Sequence, residues 1–567
     1  MAGLKRAFAR VPVIVGRAFA RVPVIVGRAF ARLGWTVVAC ALAACSTGGG
    51  GGGESDGDGS SNGPGPDPPT GLTLATANGQ VLVAFLREVE AESYNLYWSL
   101  APGVTPESGT EVAVEAPPHV VSGLPGGESF YAVVTSVGYD GEEGSPTAQE
   151  SVDIAQGGEE KYFPPWHDVQ PTSVISFDYD PGQSSTENGA DLRSMIGTLQ
   201  PGDRLEVGAG TWTIDSLFNI QLTGTAQAPI WIVARDGATP VITRSNASQN
   251  TINIGQGNPC RYVCLRGFEI TSGSIAIRMY DCRNVWIDQC HVHDCAANAI
   301  VANSQNTDHL YFTRNEVHST GDTGEGFYIG GNNGSPIAHD CVIALNHVYD
   351  TAGTQGDGIE IKQGSWGNWI AENIIHDTQY PCILTGGTNG QPVNLIEKNL
   401  CWGSENQVMQ IQGEAIVRNN VMIGGSYAFY SSDHQGATRD LVVVHNTIIN
   451  TGHAARMNDW SGRPGMVFSN NVVYSQTLNS IWFPQGSSGV EAEGNVVKGP
   501  VAGLASGYSI GNGLSDFADV TWDGSHHDAT PAPLGALIGM GAEEFAEVED
   551  VSGAMRLPPL DTGAADG

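Results

Sequence analysis

The sequence predicts an all-β chain, mostly a parallel solenoid with a small β-sandwich in front of it. Three observations predict it. Gly reaches 75 of 567 residues while Lys falls to five, a balance that suits turn-rich sheet better than helix. A short phrase, Asn then any residue then an apolar one, recurs at Asn315, Asn346, Asn373, Asn399, Asn419, Asn446 and Asn470. No helical periodicity fills the 20 to 31 residues from one instance to the next. A turn of that length, made of short strands and tight corners, is one coil of a right-handed parallel β-helix. Stacked coils set equivalent residues about 4.8 Å apart. Asparagines at one corner then hydrogen-bond to the coils above and below and satisfy the backbone of the turn.

The N-terminus is an address. Residues 5–32 hold seven bases and no acid and repeat Arg-Ala-Phe-Ala-Arg. The apolar run Leu33 to Ala44 has the length of a signal-peptide core and is too short to span a bilayer comfortably. It ends Leu42-Ala43-Ala44-Cys45, which resembles the bacterial lipobox and implies lipidation of Cys45. The sequence thus divides into a lipoprotein signal peptide at 1–45 and an acidic Gly/Ser/Pro-rich tether at 46–68. It predicts an exported chain, lipid-anchored to the outer membrane or cell surface, or secreted, whose contact with a membrane is through the anchor alone. With 60 Asp+Glu against 26 Lys+Arg, the net charge of −34 argues against nucleic acid as a partner. Eight cysteines lie beyond Cys45, from Cys260 to Cys401. Disulfides and buried packing thiols are both open, and Cys260 and Cys282 could face each other on adjacent coils.

Residues 69–155 alternate apolar and polar in short runs such as Val81–Phe85, Tyr94–Trp98 and Ser129–Val134, which predicts a seven-stranded sandwich. The segment resembles a fibronectin type III domain: Leu124-Pro125 followed by Tyr131 looks like its tyrosine corner, with Phe85 where that family usually has Trp. Residues 156–172 read as a linker, 173–505 as the β-helix, and 506–567 as a C-terminal cap or tail.

Aligning the coils brings Asn298, Glu325 and Asp357 to one position on three successive turns, each before a small residue and an inward apolar one. Three oxygen-bearing side chains at strand spacing form a site for a hard cation, and calcium is the guest expected outside the cell. Three residues on, an outward column reads Val301, Tyr328, Glu360, Leu384, Gln410, Tyr430, Arg456, Trp482. Two further on comes Asn303, Gly330, Lys362, Gly386, Gln412, Ser432, Asn458. Period-2 alternation puts both columns on one face. Rings on Tyr328, Tyr430 and Trp482, amides on Gln410, Gln412 and Asn458, and the Arg456 guanidinium suit sugar rings and hydroxyls, so a polysaccharide, neutral or anionic, is the partner this face fits. Arg456 is expected three turns from Lys362, as a residue of a neighbouring subsite. His318 and His376 are expected at the corner after the ladder, in structural roles.

The opening of the solenoid carries a more specific likeness. Leu199-Gln-Pro-Gly-Asp203, Gly208-Ala-Gly-Thr-Trp212 and Gly224-Thr-Ala-Gln-Ala-Pro-Ile230 resemble the first coils of chondroitinase-B-like and alginate-lyase-like β-helices. The segment Gly356-Asp-Gly-Ile-Glu-Ile-Lys362 is similar to the one in which those families carry acidic residues before a catalytic Lys. The resemblance implies Lys362 as the base, Glu360 as a further calcium ligand, and β-elimination on a uronate-containing polymer; a monomer is expected. Polygalacturonase-type hydrolysis lacks its motifs here: there is no Asp-Asp pair and no Gly-His-Gly. The competing class is a non-catalytic glycan-binding or structural protein of the cell surface.

Overall fold

The structure, a computed structural model, describes residues 65–566 apart from 78–79, 118, 126–127, 155–157, 435, 548, 554–555 and 557–558. The basic repeat, the lipobox with Cys45 and nearly all of the tether lie outside the described residues. Among those described, no helix is long and apolar enough to cross a membrane.

Residues 70–153 form two antiparallel sheets. One holds Thr70–Ala77, Gln80–Leu86 and His119–Val121; the other holds Thr110–Val114, Ala91–Ser99, Ser129–Gly138 and Glu150–Asp153. Val81, Val83, Phe85, Tyr94, Leu96 and Phe130 fill the space between them. The strand Gln80–Leu86 is buried on both faces, because Leu82 points the other way and packs with Trp402, Val421 and Ile423 of the solenoid. Its uninterrupted apolar run is the mark of a strand covered on both sides.

From Ser173–Phe177 onward the chain winds through three parallel sheets of 13, 12 and 13 strands, each strand paired with its equivalent on the next coil. In a coil the chain runs along the first sheet (for example Thr307–Thr313), turns at an Asn corner, and crosses the second (Glu316–His318). It turns again, crosses the third (Phe327–Ile329), and returns by a loop of varying length. Inward residues such as Phe312, Val317, Phe327, Ile343, Ile359 and Ile375 stack into one continuous core.

The ladder runs Asn315, Asn346, Asn373, Asn399, Asn420, Asn446, Asn471, Asn495. The Oδ1 of each accepts from the backbone N–H and the Nδ2 of the one before, at 2.9–3.2 Å. The sequence expectation is one residue off in two Asn-Asn doublets: Asn420 and Asn471 enter the ladder, not Asn419 and Asn470. Those two take the preceding corner position, left-handed with φ near +54° and +56°, where Arg314, Leu345, Glu372, Lys398 and His445 also sit. Asn tolerates that conformation well, so the doublet serves both positions and the motif alone does not say which Asn is which.

Two elements were not expected from the sequence. A helix, Ser185–Ile196, covers the N-terminal end of the core with Leu192 and Ile196. Its signal was present: Ser184 and Glu187 form a capping box. The segment read as a linker is also a packed strap. Tyr162, Phe163 and Trp166 lie against Trp369, Trp286 and Trp231 of the first sheet. Tyr162 Oη and Lys161 Nζ both donate to Glu372, at 2.7 and 2.9 Å. At the other end, the described residues of 514–566 fold back over the second sheet, where Phe517, Val520, Leu537 and Ala564 join the cluster around Trp402.

All eight described cysteines are buried free thiols. Cys260 and Cys282 are opposite each other in register, yet unbonded. Burial pushes the Cys260 thiol up to about 12, so it behaves as an inert apolar side chain.

Two buried imidazoles make the fold acid-sensitive. Burial, the largest cause for both, holds His445 at about 3 and His527 at about 4, against an ordinary 6.5. The unfolded chain takes up these protons first, so stability is lost as pH falls from about 6.5 towards those values. Urea midpoints are expected to drop between pH about 7 and about 5. His527→Phe, which keeps the ring stacked on Trp402, should lessen the drop.

Candidate functional site

The strap packs on part of the first sheet, and the sandwich and the C-terminal return pack on part of the second. The third sheet carries the two outward columns. Register pairs Val301 with Tyr328, Tyr328 with Glu360, Glu360 with Leu384, Leu384 with Gln410, Gln410 with Tyr430, Tyr430 with Arg456 and Arg456 with Trp482. Lys362 and Gln412 follow two residues after Glu360 and Gln410, on the same face.

Glu325 and Asp357 stand at the corner just before this sheet and Glu360 on its strand Ile359–Ile361. Gly358 lets the corner close: a Cβ there would lie 2.5 Å from Ile375 Cγ2 and 2.6 Å from the Cys382 carbonyl. One carboxylate oxygen from each of Glu325, Asp357 and Glu360 comes within 4.8 Å of the others. Asn298 joins the group by donating from Nδ2 to Glu325 and, at 3.0 Å, to Thr323 Oγ1. Lys362 is ion-paired to Glu360 and its Nζ lies 4.5 Å over the Tyr328 ring. Gly330, at φ +86°, makes room: a Cβ would meet Ser365 Oγ at 2.4 Å and Lys362 Cβ at 3.3 Å.

The three carboxylates are 1–4 % exposed, and of the three only Glu360 is ion-paired, to Lys362. Burial raises all three from the ordinary carboxylate range, Asp357 furthest, with Glu360 and Glu325 adding to it. Burial works to lower Lys362, but Glu360 and Tyr328 outweigh it and keep the amine above its usual value. Asp357 Oδ1 and Glu360 Oε2 are buried with no hydrogen-bond partner. Two orphaned anionic oxygens are costly in a folded core. They fit the oxygen-donor set of a hard divalent cation such as calcium.

Beyond Gln410 the columns form a second cluster. Arg456 donates to Tyr427 Oη at 2.7 Å and to Asn458 Oδ1 at 3.1 Å, and lies 4.4 Å over the Trp482 ring. Asn458 donates to Tyr430 Oη at 3.0 Å. Arg456 makes no ion pair with a carboxylate among the described residues. The strand count corrects one expectation: four spacings, about 19 Å, separate the Lys362 coil from Arg456, not three.

Sequence reasoning missed Tyr427, which lies one turn from His453 in register, and His434. The latter sits in the loop after Ser432, where burial and then the Lys362 charge hold its imidazole below the ordinary value. A His two residues past the second column was its signal. His318 and His376 are not at a corner but on strands of the second sheet, in an aromatic stack with Tyr349 and Trp402.

A family model described as a right handed beta helix region matches residues 230–400 and 346–497. No curated protein matches the chain. Among solved structures, an alginate lyase from Paenibacillus sp. str. FPU-7 aligns at 16% identity over 59% of this chain and 100% of its own, with a TM-score of 0.39. A mannuronic acid specific polysaccharide family 6 lyase from human gut microbiota aligns at 12% identity over 59% of this chain and 84% of its own, TM-score 0.35. A family 28 exopolygalacturonase of Yersinia enterocolitica aligns at 11% over 78% and 98%, TM-score 0.31. The matched residues and the three stacked sheets together make the solenoid of this chain a right-handed parallel β-helix.

Proposed function

We propose that the chain is an exported, lipid-anchored polysaccharide lyase that cleaves a uronate-containing polymer with the help of calcium. The observation that carries the reading is the buried trio Glu325, Asp357 and Glu360, with two unpartnered oxygens, directly beside Lys362 and Tyr328 on the third sheet. The front domain would then be a fibronectin type III module spacing the catalytic solenoid from its anchor at Cys45.

Asn298, Glu325, Asp357 and Glu360 would hold the cation. When bound, calcium supplies positive charge to neutralise the substrate carboxylate and the acidic cluster. The chain's own part is proton transfer and positioning. As arranged, Glu360 keeps Lys362 protonated; once that carboxylate is otherwise engaged, Lys362 is free to lose its proton and act as a base. It removes the hydrogen on the ring carbon beside the uronate carboxylate. The bond from the neighbouring carbon to the glycosidic oxygen then breaks, a ring double bond forms, and the leaving oxygen takes up a proton. Tyr328 packs against the Lys362 ammonium and would limit water there. Gln410, Gln412, Tyr430, Asn458 and Trp482 would line further sugar subsites, with Arg456 facing a second carboxylate.

The test is a panel of uronate and neutral polymers with and without calcium, read as ultraviolet absorbance of the unsaturated product. Uronate cleavage that stops with chelator supports the reading; no product from any uronate overturns it. Asp357→Asn separates the cation from the fold. A buried carboxylate with a raised pKa costs stability as pH rises from about 4 through that value. The variant should therefore melt higher than wild type without calcium, and lose the rise in Tm that calcium gives. A lower melting temperature together with an unchanged calcium response would refute the site.

A second reading rests on the Arg456 cluster, whose aromatic and amide groups are complete without the acidic trio. A non-catalytic glycan-binding protein would be retained on the polymer and yield no unsaturated product.

A further inference from the structure

A separate group of side chains lies on the second sheet. Residues of the successive strands Glu269–Ser272, His291–His293 and Glu316–His318 face outward there. Register pairs Glu269 with His291 and His293 with His318. One ring nitrogen from each of His291, His293 and His318 lies within 4.8 Å of the other two. His291 Nε2 and His318 Nε2 are 2.8 Å apart.

The surrounding hydrogen bonds fix which nitrogens carry lone pairs. Ser319 has one hydroxyl proton and gives it to Asp350, at 3.0 Å. Its oxygen, 3.0 Å from His318 Nδ1, therefore accepts from that nitrogen, and His318 Nε2 is left bare. His293 Nδ1 donates to Asp294 at 2.8 Å, so in the neutral ring His293 Nε2 is the bare nitrogen. That Nε2 is buried and makes no hydrogen bond; the nearest carboxylate oxygen, Glu269 Oε1, is 3.4 Å away. A carboxylate behind Nδ1, with Nε2 turned inward, is how proteins orient a histidine metal ligand.

Ring stacking alone does not account for this. Two coils on, His347 and His376 repeat the 2.8 Å contact between Nε2 atoms. There Tyr349 stands where a third imidazole would be, and both nitrogens are satisfied by each other. Of these two trios, the first leaves a ring nitrogen, His293 Nε2, with no hydrogen-bond partner.

We infer that His291, His293 and His318 bind a divalent transition metal of the zinc class, which ties two neighbouring coils together. Imidazole suits such ions, and the fourth position is open to water or Glu269. The site shares no residue with the acidic trio.

The experiment is a calorimetric titration of zinc chloride into the full chain carrying no histidine tag, beside Co²⁺ loading followed by visible absorption. One zinc per chain and the bands of tetrahedral cobalt are expected. His293→Gln and His318→Gln should abolish both, and Asp294→Asn should weaken zinc by roughly tenfold or more. Glu325→Gln should leave them unchanged. Absence of stoichiometric zinc binding by the wild-type chain overturns the inference, whatever the variants do. So does zinc binding that survives His293→Gln in a folded variant, or that is lost in Glu325→Gln.

Discussion

Replacing Lys362 with alanine is expected to lower the rate of unsaturated-product formation by about 10²- to 10⁴-fold, the usual worth of a positioned base. The loss should appear in kcat, since the amine acts on the reacting carbon, while binding to the polymer stays within a few-fold. Removing the ammonium leaves Glu360 buried without its ion-pair partner. Breaking such a pair can cost about 3–5 kcal/mol, so unfolding must be measured alongside. Because the Glu360 pKa is already raised, part of that cost is relieved by protonation, and the variant should remain folded at neutral pH. Lys362→Met, which keeps the length of the side chain over the Tyr328 ring, checks the same point with less disturbance. A folded variant that retains most of its turnover would remove Lys362 from the chemistry.

The largest stability effect is expected from Asn373→Ala. Asn373 lies in the middle of the ladder and is fully buried. Its Oδ1 accepts from the Asn346 backbone N–H and side chain, and its Nδ2 donates to the Ile343 carbonyl and to Asn399 Oδ1. Alanine leaves several buried polar partners unmet at about 1–3 kcal/mol each. A total loss of roughly 4 kcal/mol or more follows, read as a shift in urea midpoint without a change in slope. Asn419→Ala removes bonds to the C-terminal segment only, to the Glu549 carbonyl and from Arg556, and should cost less. Equal losses from the two variants would contradict the one-residue assignment of the ladder.

Why the columns could be read from sequence is physical. Parallel pairing joins equivalent residues of successive coils, so one anchor, the Asn corner, places the positions that follow it to within a few residues in each coil. Asn298, Glu325 and Asp357 lie 17, 10 and 11 residues before or after their nearest ladder Asn, yet all three fall just before the third sheet. The offset is lost where return loops vary, which is why His434 was missed. The ladder itself slipped at Asn419 and Asn470 because a doublet satisfies the motif twice. The strap could not be found from pattern: Tyr162, Phe163 and Trp166 have no repeat of their own, and only the Trp369, Trp286 and Trp231 side chains waiting on the first sheet make them ordered. The imidazole group on the second sheet lay hidden for a related reason. His291 and His293 occupy a coil that lacks the ladder Asn, with Cys290 in its place.

The strap and the C-terminal return also change how the molecule should come apart. A bare stack of coils touches only its nearest neighbours and frays from its ends. Here residues 159–166 bridge coils as far apart as those of Trp231 and Glu372. From the other end, Glu549 reaches back to Lys398 and Glu547 to Arg418. Such long-range fastening couples the middle of the stack to both ends. The solenoid is thereby expected to lose its structure in one cooperative step, with amide exchange in the central coils limited by global unfolding rather than by local opening.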